Sequence, residues 1–207
     1  HESVPGVTID RQCGSSQQAV HFAAQGVLSG TQDLVIAGGV QNMSMVPIGA
    51  SMLAGKAFGH DDPFRSSTGW IKRYGDQEVN QFYGAERIAK RWGCTREEME
   101  AYAFASHQRA LHAMDEGYFD AEISPLLGVT QDEGPRRNTS IEQMAELNVL
   151  MPDGRMTAAC ASQISDGAAA LLVASEAAVK RYNLKPRARI HHISVRGADP
   201  IWMLTAP

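Results

Sequence analysis

Residues 45–156 constrain the fold most, because they interrupt a chain whose two flanks share one texture. In the N-terminal flank (1–44), "VPGVTI" (4–9) is an extended, β-branched run, and "SSQQAVHFAAQGVL" sets Ala19, Phe22, Ala23 and Val27 near helical spacing. Gly30 then stops that helix, and "DLVIAGG" (33–39) reads as a short buried strand. This is the order of a strand–helix–strand βαβ unit. In the C-terminal flank (157–207), "DGAAALLVASEAAVKRYN" predicts a strand and a helix, and "KPRARIHHISVRG" predicts a further strand. The interrupting stretch is helix and loop. It holds a turn-rich "FGHDDPFRSSTGWIKRYG", a helical 76–93, and a helix opened by a Thr95/Glu98 capping box and closed by Gly117. "SIEQMAEL" predicts a short helix after an acidic-basic turn, "QDEGPRRNTS". The reading is an α/β chain with a mostly helical insertion, in three regions: 1–44, 45–156 and 157–207.

With 43% hydrophobic residues, 20% charged residues and a net charge of −4, the composition is that of an ordinary globular protein. It argues against a nucleic-acid footprint and against a polybasic membrane contact. No apolar run approaches the roughly 20 residues a membrane-spanning helix needs. The 3 cysteines, Cys13, Cys94 and Cys160, are widely spaced. They make neither a disulfide framework nor a CxxC metal pair, so no metal is expected and the setting is reducing and cytoplasmic. "HESVPGVTID" lacks the basic and apolar parts of a signal peptide, and "DPIWMLTAP" closes without a polar tail. The sequence is expected to be part of a longer chain, incomplete at both ends.

Cys13 stands between an extended run and a helix, followed by Gly14, Ser15 and Ser16. A helix start offers unpaired N–H groups and a partial positive charge, both of which favour the nucleophilic thiolate. Small residues there leave room for an acyl group and expose N–H groups to a developing oxyanion. The competing reading is a small buried cysteine, the commoner fate of that residue.

The sequence resembles the thiolases. "IDRQCGSSQQAV" with "DLVIAGGVQNMS" is similar to their nucleophile region. "GAERIAKRWGCTREEMEAYAFASHQRA", "DEGPRRNTSIEQMAEL" and "TAACASQISDGAAALLVAS" resemble, in order, their loop-domain helices, their coenzyme A stretch and their Asp-Gly-Ala-Ala segment. The resemblance implies a thiolase-like αβαβα layered fold, with 1–44 and 157–207 as parts of its core halves and 45–156 as the loop domain. It implies an acyl-CoA C-acyltransferase acting on 3-ketoacyl-CoA and coenzyme A, in a homodimer or homotetramer. Cys13 matches the cysteine that becomes acylated. Arg136 matches the arginine near the adenine and ribose phosphate of coenzyme A, with Arg137 beside it as the alternative. Ser162 matches the serine that hydrogen-bonds the pantetheine arm. Gln143 stands where some thiolases carry a contacting serine, and is not assigned.

Departures accompany the match. Asp10 replaces the usual Asn, Cys160 falls at a frequent Asn, and Asn80-Gln81-Phe82 replaces a His-Met-Gly of short-chain thiolases near the acyl pocket. The Gly-His-Pro histidine that activates the nucleophile and the Cys-x-Gly-Gly-Gly cysteine that handles the α-proton do not occur in this sequence. These residues alone are therefore expected to be inactive. Two other functions fit the same motifs: a condensing enzyme of the ketosynthase type, against which the long insertion argues, and a non-catalytic acyl-CoA-binding relative.

Overall fold

The computed structural model describes residues 1–206. In chain order it contains α1 (Ser15–Leu28), β1 (Leu34–Asn42), α2 (Ala50–Leu53), α3 (Thr68–Tyr74), α4 (Gln81–Trp92), α5 (Arg96–Asp115), α6 (Ile141–Ala145), β2 (Asp166–Ala174) and α7 (Glu176–Arg181). Two 3-10 turns, Ala54–Phe58 and Ala158–Cys160, complete the described elements. The chain divides into two compact units, one formed by 1–48 with 165–195, the other by 49–164 with 196–206.

The first unit is built on β1 and β2, which pair antiparallel from Leu34↔Ala174 to Asn42↔Asp166. A Ser–Asp pair closes the ladder at each end. Ser44 donates its N–H and hydroxyl to Asp166 (2.9 and 2.5 Å). Ser175 donates its N–H to the Asp33 carbonyl (2.8 Å) and its hydroxyl to the Asp33 carboxylate (2.7 Å). Helix α1 lies against both strands, and small residues set the approach: Ala23, Ala24 and Ala37 are buried. A Cβ on Gly39 would stand 3.4 Å from the Ser16 Cβ, and one on Gly38 3.2 Å from the Ala169 carbonyl oxygen. Leu34, Ile36, Val40 and Leu172 are exposed, Val40 at 81%.

Two expected strands do not form. Residues 4–9 are not in a strand, and Val7 is exposed. Residues 186–197 are likewise outside any helix or strand. A strand is a paired object, and β1 and β2 bond only to each other in the described sheet. The βαβ expectation is corrected accordingly: the sheet has two strands, antiparallel. The helix expectations fare better. Leu28 ends α1, with Gly30 at φ +75°. The 76–93 helix starts late, at Gln81, because the Asn80 side chain accepts from the Tyr83 N–H and caps it.

The second unit is held by polar hubs. The capping box of α5 is formed: the Thr95 N–H donates to Glu98 (2.8 Å) and the Glu98 N–H to Thr95 Oγ1 (3.2 Å). One turn on, buried Glu100 pairs with Arg96 at 2.7 Å. The same guanidinium donates to the carbonyls of Met144, Ala145 and Leu147, binding α5 to the end of α6. Glu86 of α4 accepts from the N–H groups of Arg155 and Met156, and the Arg155 guanidinium returns to the Ala89 and Cys94 carbonyls. These bonds place the segment that runs through buried Thr157 to the 3-10 turn beside α5.

Candidate functional site

The residues singled out from the sequence fall in both units. In the first, Cys13 is exposed and sits directly before Gly14, the N-cap of α1. No side chain caps this helix, so its first-turn N–H groups carry no side-chain partner. The loop is stitched locally. Asp10 Oδ1 accepts from the Gln12 N–H (2.9 Å), Ser15 Oγ accepts from the Arg11 N–H (2.8 Å), and the Ser15 hydroxyl donates to the Gln12 carbonyl (2.6 Å). Gln12 is held at φ +51°, in the left-handed region that a non-glycine residue enters at a cost of about 1–2 kcal/mol. Such strain persists only where neighbouring bonds over-determine it, and it recurs at functional positions. The other cysteines differ. Cys160 is half-buried, and burial pushes its thiol pKa up, which holds it as the neutral thiol. Cys94 is also half-buried, and its carbonyl is engaged by Arg155.

In the second unit, α5, α6, the arginine loop and residues 158–164 enclose an open cleft of about 840 Å³. Arg136, Arg137 and Ser162 all line it. The two adjacent arginines are not equivalent. Arg137 makes a two-pronged ion pair with Asp115 of α5, at 2.6 and 3.0 Å. The pair holds the Asp115 carboxyl below its ordinary pKa. The Arg136 side chain makes no ion pair or hydrogen bond among the described residues, which leaves its guanidinium free in the cleft. The loop backbone is fixed from three sides. Asp132 accepts from the Gly134 N–H (2.8 Å), Gln163 Nε2 donates to the Gly134 carbonyl (2.5 Å), and His107 Nδ1 accepts from the Arg136 N–H (3.1 Å).

Chemically the cleft offers, among the described residues, one free cation, amide side chains from Gln143 and Gln163, the Ser162 hydroxyl, and apolar walls at Met144 and Leu147. That set suits a long ligand with an anionic end and a polar, flexible arm. Gln143, left unassigned from the sequence, lines it. So do His107 and Gln163, which sequence reasoning missed. The pairing of a histidine with a residue far along the chain leaves no local signal, although Gln163 stands next to the assigned Ser162.

Comparison with known proteins covers most of the chain. The family model for the thiolase N-terminal domain matches residues 1–177. A steroid 3-ketoacyl-CoA thiolase of Mycobacterium tuberculosis is 56% identical over 210 residues, covering 100% of this chain and 51% of the relative. A beta-ketoadipyl-CoA thiolase of Acinetobacter baylyi is 38% identical over 222 residues, covering 99% of this chain and 55% of the relative. The chain thus spans about half the length of the curated relatives it matches. Among solved structures, human mitochondrial 3-ketoacyl-CoA thiolase in complex with CoA aligns with a TM-score of 0.71 and 31% identity, over 90% of this chain and 48% of that one.

Proposed function

The chain belongs to the thiolase family, and from that premise we propose that it carries the acyl-accepting cysteine and the coenzyme A cleft of an acyl-CoA C-acyltransferase. The observation that carries the reading is the exposed Cys13 at the uncapped start of α1, inside the stretch matched by the thiolase N-terminal domain. The Cys13 thiolate attacks the 3-keto carbon of a 3-ketoacyl-CoA. The bond between C2 and C3 breaks, C2 takes up a proton, and acetyl-CoA leaves. The shortened acyl group stays on Cys13 as a thioester. The thiolate of a second coenzyme A then attacks that carbonyl, releasing the shortened acyl-CoA and regenerating Cys13. Covalent catalysis divides one difficult acyl transfer into two easier ones. The Cys13 N–H stabilises the oxyanion that forms on each attack.

In this reading Arg136 meets the phosphate-bearing end of coenzyme A, and Ser162 hydrogen-bonds its pantetheine arm. The 56% identity to a steroid 3-ketoacyl-CoA thiolase supports a bulky, ring-bearing acyl group. The Asn80-Gln81-Phe82 segment, in place of a short-chain His-Met-Gly, supports the same direction. The residues assigned to nucleophile activation and α-proton transfer are not in this sequence, so these 207 residues alone are expected to show no turnover. The test is intact-mass analysis of the full-length protein after incubation with an acyl-CoA. The expected result is a gain equal to the acyl group that is lost in Cys13→Ala and kept in Cys94→Ala and Cys160→Ala. A gain that survives Cys13→Ala overturns the assignment.

A further inference from the structure

We infer that His107 is a positioning residue whose neutral form latches the Arg136 loop, so that coenzyme A binding weakens as His107 takes up a proton. The inference rests on the coenzyme A reading of the cleft. His107 projects from α5, is half-buried, and lines the cleft beside the loop it holds. Its Nδ1 accepts the Arg136 main-chain N–H at 3.1 Å. A nitrogen that accepts cannot carry a proton, so this bond requires the tautomer with its proton on Nε2. Protonation would set N–H against N–H, and this bond would break.

What the bond holds in place is specific. The loop's other ties reach Gly134 and the Arg137 side chain. Among the described residues the His107 bond alone fixes the backbone of Arg136, whose guanidinium has no ion-pair partner there. Releasing it lets the free arginine wander while its neighbour stays paired to Asp115.

The charged groups around His107 make the sign of the effect diagnostic. Arg136 and Arg137 are the charged side chains lining the cleft with it. On α5, His112 and Asp115 lie further along the helix, with Asp115 paired to Arg137. In the loop, Asp132 is turned to the Gly134 N–H. From α6 and residues 158–164 the cleft receives only uncharged side chains. Were His107 merely one more charge, its protonation would add a cation beside two arginines and tighten the binding of an anion. As a latch, its protonation loosens binding.

The test is calorimetric titration of the full-length protein with coenzyme A and with dephospho-coenzyme A between pH 5.5 and 8.5. The dephospho form lacks the 3′-phosphate monoester, whose own second ionisation falls near pH 6. Relative to His107→Asn, which reports the ligand's own ionisation, wild-type affinity for coenzyme A is expected to fall a further factor of about three to ten toward the acid end, the worth of one hydrogen bond. Dephospho-coenzyme A, without the phosphate that Arg136 meets, should show little of this difference. His107→Asn, which keeps an acceptor at the Nδ1 position and does not titrate, should bind as tightly as wild type at pH 8 and lose at the acid end only what the ligand's own ionisation costs. His107→Phe should bind weakly throughout, and His112→Asn should keep the wild-type slope. Nitrogen-15 spectra of the ligand-free protein should show the Nε2–H tautomer. An unchanged slope in His107→Asn, affinity that rises on acidification, or a protonated Nδ1 overturns the inference while leaving the cleft assignment standing. Failure of wild type to bind either ligand at any pH overturns the coenzyme A reading, and this inference with it.

Discussion

Replacing Arg136 with alanine should weaken coenzyme A binding far more than replacing Arg137, although the two are adjacent. Arg137 is already compensated by Asp115 at 2.6 and 3.0 Å, while the Arg136 side chain has no counter-charge among the described residues. A charge-assisted hydrogen bond contributes about 1.5–3 kcal/mol. Arg136 is exposed, so solvent screening places it at the lower end. A loss of about 1.5 kcal/mol is roughly tenfold in Kd. Arg137→Ala, which removes a cation already shared with Asp115, should cost less than about threefold. Arg136→Lys keeps the charge without the planar fork and should recover only part of the loss. The assay is calorimetric titration of the full-length protein at two salt concentrations. The salt dependence of binding should be shallower in Arg136→Ala, because a phosphate contact is screened by salt and its loss removes that dependence. An Arg137→Ala effect as large as that of Arg136→Ala would refute the reasoning from ion pairing.

Three further outcomes follow from the same geometry. Asp10→Ala removes the acceptor that holds the Gln12 N–H beside Cys13, so acylation of Cys13 by an acyl-CoA should slow severalfold, while Asp10→Asn retains the rate; equal rates in both variants would show that this bond does not set the loop. Arg96→Met leaves Glu100 buried without its partner and frees the carbonyls at the end of α6, so urea unfolding should show a loss of about 3–5 kcal/mol; a loss under about 1 kcal/mol would contradict it. The Ser44 hydroxyl, then its N–H, hold the Asp166 carboxyl below its ordinary value of 3.8. A lowered folded pKa gives support that is complete above the unfolded value and lost as pH falls through the folded one. The wild-type urea midpoint should therefore drop more steeply below pH 4 than that of Asp166→Asn; parallel curves would sink the idea.

What was legible in the sequence was what is decided locally. The capping box at Thr95 and Glu98 spans four residues, so its signal is contained in the helix it starts. The same holds for Gly30 and for the Cys13 turn, where Asp10, Gln12 and Ser15 build the loop among themselves. Strands are decided elsewhere. "VPGVTI" has β-branched chemistry, but a ladder needs the N–H and C=O groups of a second segment, and those are not a property of the run itself. β1 and β2 were legible as strands because both are strongly apolar, yet their antiparallel pairing across an interval of more than a hundred residues was not.

The cleft follows the same division. The residue types that the cleft presents were visible in "DEGPRRNTS" and "TAACASQ", and the family resemblance named Arg136 and Ser162. The sequence could not say which of two neighbouring arginines is free, because that is decided by Asp115, 22 residues away on α5. His107 carries no local signal in the sequence. Its meaning comes from an N–H 29 residues downstream, a backbone group that has no letter in the sequence. Side-chain identity reports what chemistry is at hand. The availability of a given group depends on what other elements have already bonded, and here α5 decides it for both arginines: one through a carboxylate, the other through an imidazole. A substitution on α5 can therefore alter ligand affinity without replacing either arginine. That places the control of this cleft on the helix behind it as much as on the loop that names it.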